Sequence, residues 1–218
     1  MAAFAGGQQE LPARAQAVLN FWFGDGWEAA PPDDTRPQCK QAWYMSTPEL
    51  DADIARRFGP DCEALLAGRL DSWRGTPLGA LAGILLGDQI MRNAYRGTAK
   101  MYAADGRVLG WAKELLASGA VQQLEPIQQV FVLMTLMHSE TLADQNECVA
   151  RFEQLAKDCE QQGLGSMAAM ARDGVKYAEA HRQVVAQWGR FPHRNAILGR
   201  TSTPEEAAGI AAGTIPKW

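Results

Sequence analysis

Apolar residues recur along the chain at spacings of three and four, and no stretch alternates apolar and polar positions over more than four residues, so helices are expected throughout. Pro12 to Phe23 predicts a first helix with Ala15, Val18, Leu19, Trp22 and Phe23 on one face, ended by Gly24 and Gly26. Residues 24–47 are irregular and hold Pro31, Pro32 and Pro37, yet Trp27, Trp43 and Tyr44 imply a connection that lies against the body. Thr47-Pro48 opens a second helix to about Phe58, and Gly59-Pro60 breaks it and starts a third to about Ala67. Thr76-Pro77 opens a fourth, to about Tyr95, and Gly97-Thr98 separates it from a fifth that ends near Ser118. A second hairpin follows, from Pro126 to His138 and from Thr141 to Gln161. Ser166 is the expected cap of a long eighth helix ending at Trp188, with Gly174 as its weak point. Thr203-Pro204-Glu205-Glu206 carries the N-cap hydroxyl, the first-position proline and the third-position glutamate of a short ninth. The expected fold is all-α: about nine helices in antiparallel hairpins, as an array or a bundle, in one domain over residues 1–218.

Several apolar stripes end in polar groups. Leu81, Ile84 and Leu85 continue at helical spacing into Asp88, Arg92, Tyr95 and Arg96, while Ile127, Phe131 and Met134 lead to His138. Tyr177, His181, Val184 and Trp188 share a face. The bland reading of each is a solvent-exposed helix end or a satisfied core histidine. The stretch from Trp188 to Thr203 adds Arg190, His193, Arg194, Asn195 and Arg200 without a single carboxylate, and Gly189 and Pro192 close one end of it while the ninth helix closes the other. A loop held at both ends and carrying guanidinium donors suits a carboxylate or phosphate, because part of its ordering entropy is already spent. Convergence of these helix ends on the loop would gather Asp88, Arg92, Asn93, Arg96, His138, Glu140, Asp144, Arg190, His193, Arg194 and Asn195.

Composition narrows the partners. A net charge of −4 and a pI near 5.4 argue against general nucleic-acid binding. The N-terminus, Met1 to Glu10, has neither a basic leader nor an arginine-rich amphipathic pattern, and the apolar runs fall short of the roughly 18 residues of a membrane span, so a cytoplasmic protein without membrane attachment is expected. Cys39, Cys62, Cys148 and Cys159 form no C-x-x-C pair, which fits reduced thiols. His138-Ser139-Glu140 has the H-x-E spelling of zinc deaminases but no P-C-x-x-C follows, and His138, Glu140, Asp144 and His181 include no histidine pair at i, i+4; no metal and no cofactor are expected. A glycine-rich phosphate loop and G-x-S-x-G are absent.

Three motifs, Leu86-Gly-Asp-Gln-Ile-Met-Arg-Asn-Ala-Tyr-Arg-Gly97, Met137-His-Ser-Glu-Thr-Leu-Ala-Asp-Gln145 and the run from Gly189 to Glu206, resemble in order and spacing those of domain-of-unknown-function family 924. With Leu19 to Gly24 the resemblance spans about residues 14–208. It implies a tetratricopeptide-like all-helical fold and no known activity. The family's motif positions fall on Asp88, Gln89, Arg92, Asn93, Arg96, Gly97, His138, Glu140, Asp144, Gln145, Arg190, His193, Arg194 and Asn195. The chain departs from the usual pattern at Ile90-Met91, where Phe-Pro is common, and at Gly87, Gly106 and Gly110.

Two functional expectations stand beside a purely structural one. The first is a binding module whose arginine- and histidine-rich pocket holds an anionic small molecule or an acidic peptide. The second is a hydrolase or lyase acting on a small anion, with His138 or His193 as general base, Glu140 or Asp88 as its orienting partner and the arginines as clamp. The structural reading has the same residues capping helices and tying down the last loop.

Overall fold

The computed structural model describes residues 10–217, so the reading of the N-terminus as free of targeting signals lies outside the described residues apart from Glu10. Among the described residues there is no strand. The helices are α1 (Ala13–Phe23), α2 (Lys40–Tyr44), α3 (Pro48–Leu66), α4 (Pro77–Ile84), α5 (Met91–Ala94), α6 (Asp105–Ser118), α7 (Pro126–Met137), α8 (Leu142–Gln161), α9 (Gly165–Trp188) and α10 (Pro204–Ala211). A π-helical segment, Leu85–Ile90, joins α4 to α5 without a break, so residues 77–94 form one helix and the described helices number nine. No helix among the described residues is long and apolar enough to cross a membrane.

The expected break at Gly59-Pro60 does not occur: α3 runs through it. Pro60 lies on the exposed side, whereas Ile54, Phe58, Cys62 and Leu65 bury an uninterrupted stripe, and that packing overrides the local cost of the proline. Nor is Ser166 the cap of the long helix. The helix begins at Gly165, and the Asp33 carboxylate accepts hydrogen bonds from the Ser166 and Met167 amides at 3.2 and 2.9 Å. Those bonds, Met167 first, pull the Asp33 carboxyl below its usual range, and they pin the 24–47 connection to the body as its tryptophans imply. Trp27 and Trp43 are buried there, but Tyr44 turns outward with 57% exposure. The fifth expected helix is shorter at its start, a single turn at Ala99–Tyr102 preceding α6.

Every residue from Gly79 to Met91 is buried, because the central helix touches α1, α3, α6 and α7 on different sides. Two glycines permit that closeness. A Cβ at Gly83 would overlap the Trp111 ring of α6, and one at Gly87 would overlap Val108. On the far side of the core Trp43 packs edge-on to Phe131 at 4.9 Å between ring centroids, and its Nε1 donates to the Trp22 carbonyl at 2.9 Å. This aromatic cluster fixes the short α2 against α1 and α7. The helices α7, α8 and α9 follow as two antiparallel hairpins, so α7 and α9 run in the same direction.

Substituting Gly83→Ala tests the close approach. Alanine is the better helix former by about 1 kcal/mol, but here its methyl group meets an indole with no room to move. The expected result is a lower urea midpoint at unchanged slope, equivalent to roughly 1–3 kcal/mol. An unchanged or raised midpoint would show that α4 and α6 are not held at contact distance.

Candidate functional site

A cavity of about 590 Å³ opens between α2, the C-terminal end of the central helix, α7, α8, α9 and the loop after Trp188. The loop contributes His193 and Arg194, the central helix Gln89 and Arg92, and the turn at Ala99–Tyr102 contributes Met101 and Tyr102. Val130, Met134, Met137 and His138 line it from α7, and Met170, Asp173, Gly174, Tyr177 and His181 from α9. Lys40, Trp43 and Tyr44 of α2 and Phe152 of α8 complete the wall. Tyr44 and Tyr177, both more than half exposed, mark the mouth.

The π-helical turn matters here because it widens the helix where Asp88 and Gln89 must both point inward. Asp88 is 1% exposed, and its oxygens lie 2.8 and 2.9 Å from Nδ1 of His138. Gln89 donates to it at 2.5 Å and the Arg92 guanidinium stands 3.4 Å away. Burial alone would raise the Asp88 carboxyl, but attraction from His138 and Arg92 and the hydrogen bonds from His138 and Gln89 outweigh burial and hold it well below the usual carboxylate range. An ionised carboxylate only accepts, so Nδ1 of His138 carries the proton and Nε2 remains the ring nitrogen available to a ligand.

The two arginines beside this pair are compensated unequally. Arg92 makes a two-pronged bond to Asp105 at 3.0 and 3.1 Å as well as facing Asp88; burial disfavours its charge, but the two carboxylates raise its pKa. Arg194, 7% exposed, reaches the same Asp105 only at 3.4 Å, and its buried Nε has no hydrogen-bond partner. Its guanidinium carbon sits 4.7 Å from the Tyr102 ring centroid and 4.5 Å from that of Phe191. Burial first, then repulsion from Arg92, lower the Arg194 pKa, the mark of a cation without a carboxylate of its own.

The rest of the loop is fastening. Glu140 takes the Phe191 amide at 2.7 Å and both terminal nitrogens of Arg200 at 2.6 and 2.9 Å. Arg190 forks onto Glu206 at 2.7 Å for each bond, and Asn195 donates to Ser202 and Glu206 while accepting from Arg200. The bond from Arg190 leads those that draw Glu206, despite its burial, down to about 2. Glu140, Arg190 and Asn195 therefore position the cavity wall and do not line it. Asn93 and Arg96 also leave the cluster expected of them, since both bind Asp51 of α3, at 2.8 and 2.6 Å. Asp144 accepts from Ser139 at 2.7 Å and pairs with Lys113 at 2.6 Å, while Gln145 beside it donates to the Met137 and Ser139 carbonyls and closes the turn after α7. Of the residues expected to converge, Arg92, His138, His193 and Arg194 line the cavity, with Asp88 directly behind; Gln89, a motif position, and Tyr177 and His181, from the third stripe, line it as well.

Sequence reasoning missed the apolar half of the wall. Met134 read as part of a core stripe and Met101, Tyr102, Met137 and Met170 carried no signal, so only the i, i+4 continuation from Met134 to His138 and from Tyr177 to His181 hinted that those stripes face a cavity. The His138 and His181 rings are 6.2 Å apart, and Nδ1 of His181 donates to the Tyr177 carbonyl at 2.7 Å. Among the described residues no group of three or more metal-ligating side chains is placed to hold an ion.

Residues 18–214 match the family described as bacterial protein of unknown function (DUF924). A solved structure of a protein of unknown function from Agrobacterium tumefaciens is 31% identical, covers 94% of this chain and all of its own, and superposes with a TM-score of 0.70. No curated protein matches.

Two measurements follow from this geometry. Burial lowers His181 from 6.5 to about 3 and His193 from 6.5 to about 4. Between those values and 6.5 the unfolded chain binds protons that the folded chain refuses, so stability rises with pH across the window. Urea midpoints should fall on acidification from about pH 6.5, with about two protons taken up on unfolding near pH 5; a His181→Gln/His193→Gln protein should lose most of that slope, and an unchanged slope would contradict the assignment. Arg200→Ala, which leaves Glu140 only the Phe191 amide and removes the Arg200 side-chain bonds to Asn195 and the Phe191 carbonyl, should cost about 2 kcal/mol or more. Arg194→Met should leave the midpoint near wild type, because Asp105 keeps Arg92; a fall as large as that of Arg200→Ala would make Arg194 a strut.

Proposed function

The chain belongs to the DUF924 family of bacterial proteins of unknown function, so its role has to be read from the cavity, and we propose that it binds a small organic anion there. The observation that carries this reading is Arg194: a buried guanidinium at a cavity wall, with an unpartnered Nε and a single long contact to a carboxylate already engaged by Arg92. A carboxylate or phosphate in the cavity would give the guanidinium the charge-assisted partner that the shared Asp105 supplies only at long range, and Arg92 and Lys40, which also line the cavity, add to the attraction. An acidic peptide would have to pass a side chain between Tyr44 and Tyr177, so a small molecule is the better fit. A cytoplasmic setting belongs to the same reading, since all four cysteines are free and buried.

A second reading, in which the bound anion is also a substrate, draws on the Asp88 and His138 pair. A buried carboxylate that fixes the imidazole tautomer leaves Nε2 as a general base at the cavity, with Asp88 in the orienting role and Glu140 occupied elsewhere. Among the described residues that line the cavity there is no serine, threonine or cysteine, which favours proton transfer in a hydrolase or lyase without a covalent intermediate of those types.

Thermal unfolding at low salt against acetate, phosphate, citrate and longer organic acids tests the binding reading. A ligand at ~100 times its dissociation constant should stabilise the wild type by roughly 2.7 kcal/mol, and Arg194→Met should abolish the shift. No response to any anion would overturn the proposal. For the enzyme reading, His138→Gln should keep binding and lose turnover of whichever anion is converted; equal turnover in both proteins would remove it.

A further inference from the structure

We infer that the anion held at Arg194 is the head of an amphipathic molecule whose apolar tail lies along a slot between α7 and α9. The inference rests on the anion reading above and deepens it. On α7 the cavity positions are Val130, Met134, Met137 and His138, one continuous stripe at spacings of four, three and one. On α9 Met170, Gly174, Tyr177 and His181 follow at spacings of four, three and four, while Asp173, exposed and paired with Lys176 at 2.8 Å, also borders the cavity. Both stripes therefore run from hydrocarbon and thioether at the N-terminal side to imidazole at the C-terminal side, and the two helices point the same way. At 1.5 Å per residue the stripes extend ~12 Å and ~16 Å, so the cavity is a slot with a chemical gradient along it.

The two ends differ in kind. His138 and His181 stand 6.2 Å apart at the polar end, where Arg92, Arg194 and His193 also line the wall. Toward the other end Val130 of α7, Phe152 of α8 and Met170 of α9 line the cavity, and a Cβ at Gly174 would overlap the Phe152 ring, so glycine is what lets that ring form the wall. A small polar anion such as phosphate or citrate would satisfy Arg194 and leave this half against water. Methionines at four wall positions suit a tail of adaptable shape, because a flexible thioether side chain repacks around whatever lies against it. The class is an oxyanion, carboxylate or phosphate monoester, carrying a hydrocarbon body.

Titration of the protein with butanoate, hexanoate, octanoate and decanoate, each below its micelle threshold, tests this, with inorganic phosphate as the tailless control and octyl phosphate as the alternative head. Affinity should rise about fourfold for each added methylene until the tail fills the slot, and phosphate should bind far more weakly than octyl phosphate. Met134→Gln should flatten the dependence on length, whereas Arg194→Met should weaken every member of the series by a similar factor. Affinity independent of length, with Arg194-dependent binding of phosphate or butanoate retained, would overturn the tail and leave the anion site standing. Length-dependent binding that Arg194→Met does not weaken would overturn the anion site itself. Binding of neither alkanoates nor phosphate would remove both.

Discussion

Burying the Asp88 carboxylate is the constraint on which the rest of the site depends. A lone ionised carboxylate at that depth would cost several kcal/mol, and removal of a partner from such a group is strongly destabilising. Asp88 is compensated by His138 from the end of α7, by Arg92 one turn further along its own helix and by Gln89 beside it. Asp88 and Gln89 both lie in the π-helical segment of the central helix, and the bond to His138 ties that segment to the end of α7. Arg92 then extends the network to Asp105 at the start of α6. One buried charge thus registers three segments of the fold.

The loop after α9 is a separate device with the opposite charge balance. Gly189, with φ of +68°, ends the helix in a left-handed turn, and Glu140 and Glu206 then take up three of the loop's cationic or amide donors: Arg200, Arg190 and the Phe191 amide. Those contacts make the loop rigid. Rigidity is what allows Arg194 to be carried into the interior with so little compensation, because an undercompensated cation would otherwise swing out to water. Scaffold and site are therefore both present in the same fifteen residues, divided between neighbouring side chains.

Much of this was legible from spacing. Helical periodicity put Asp88 at the end of the stripe Leu81, Ile84 and Leu85 and His138 at the end of its own; that the two meet, with His193 and Arg194 of the loop beside them, is a property of the fold that spacing left open. The hairpin order and the capping box at Thr203 also follow from local residue chemistry. What stayed hidden depends on partners distant in the chain. Asn93 and Arg96 sit at helical positions adjacent to the site, and only the three-dimensional approach of Asp51 from α3 draws them away. Pro60 looked like a break because its local cost is visible in sequence and the buried face on its far side is not. Met134 looked like core for the same reason: an apolar residue facing a cavity and one facing another helix have the same periodicity.

On the proposed reading, a buried guanidinium whose one carboxylate contact is long and shared, and the apolar side of the cavity beside it, form a single ligand site. The most direct measurement is a crystal structure of the protein grown with decanoate. The carboxylate is predicted within hydrogen-bond distance of Arg194, with the tail running between α7 and α9 toward Val130 and Met170. A cavity without bound decanoate at saturating concentration, or a carboxylate at the mouth beside Tyr44 and Tyr177 with Arg194 untouched, would contradict it.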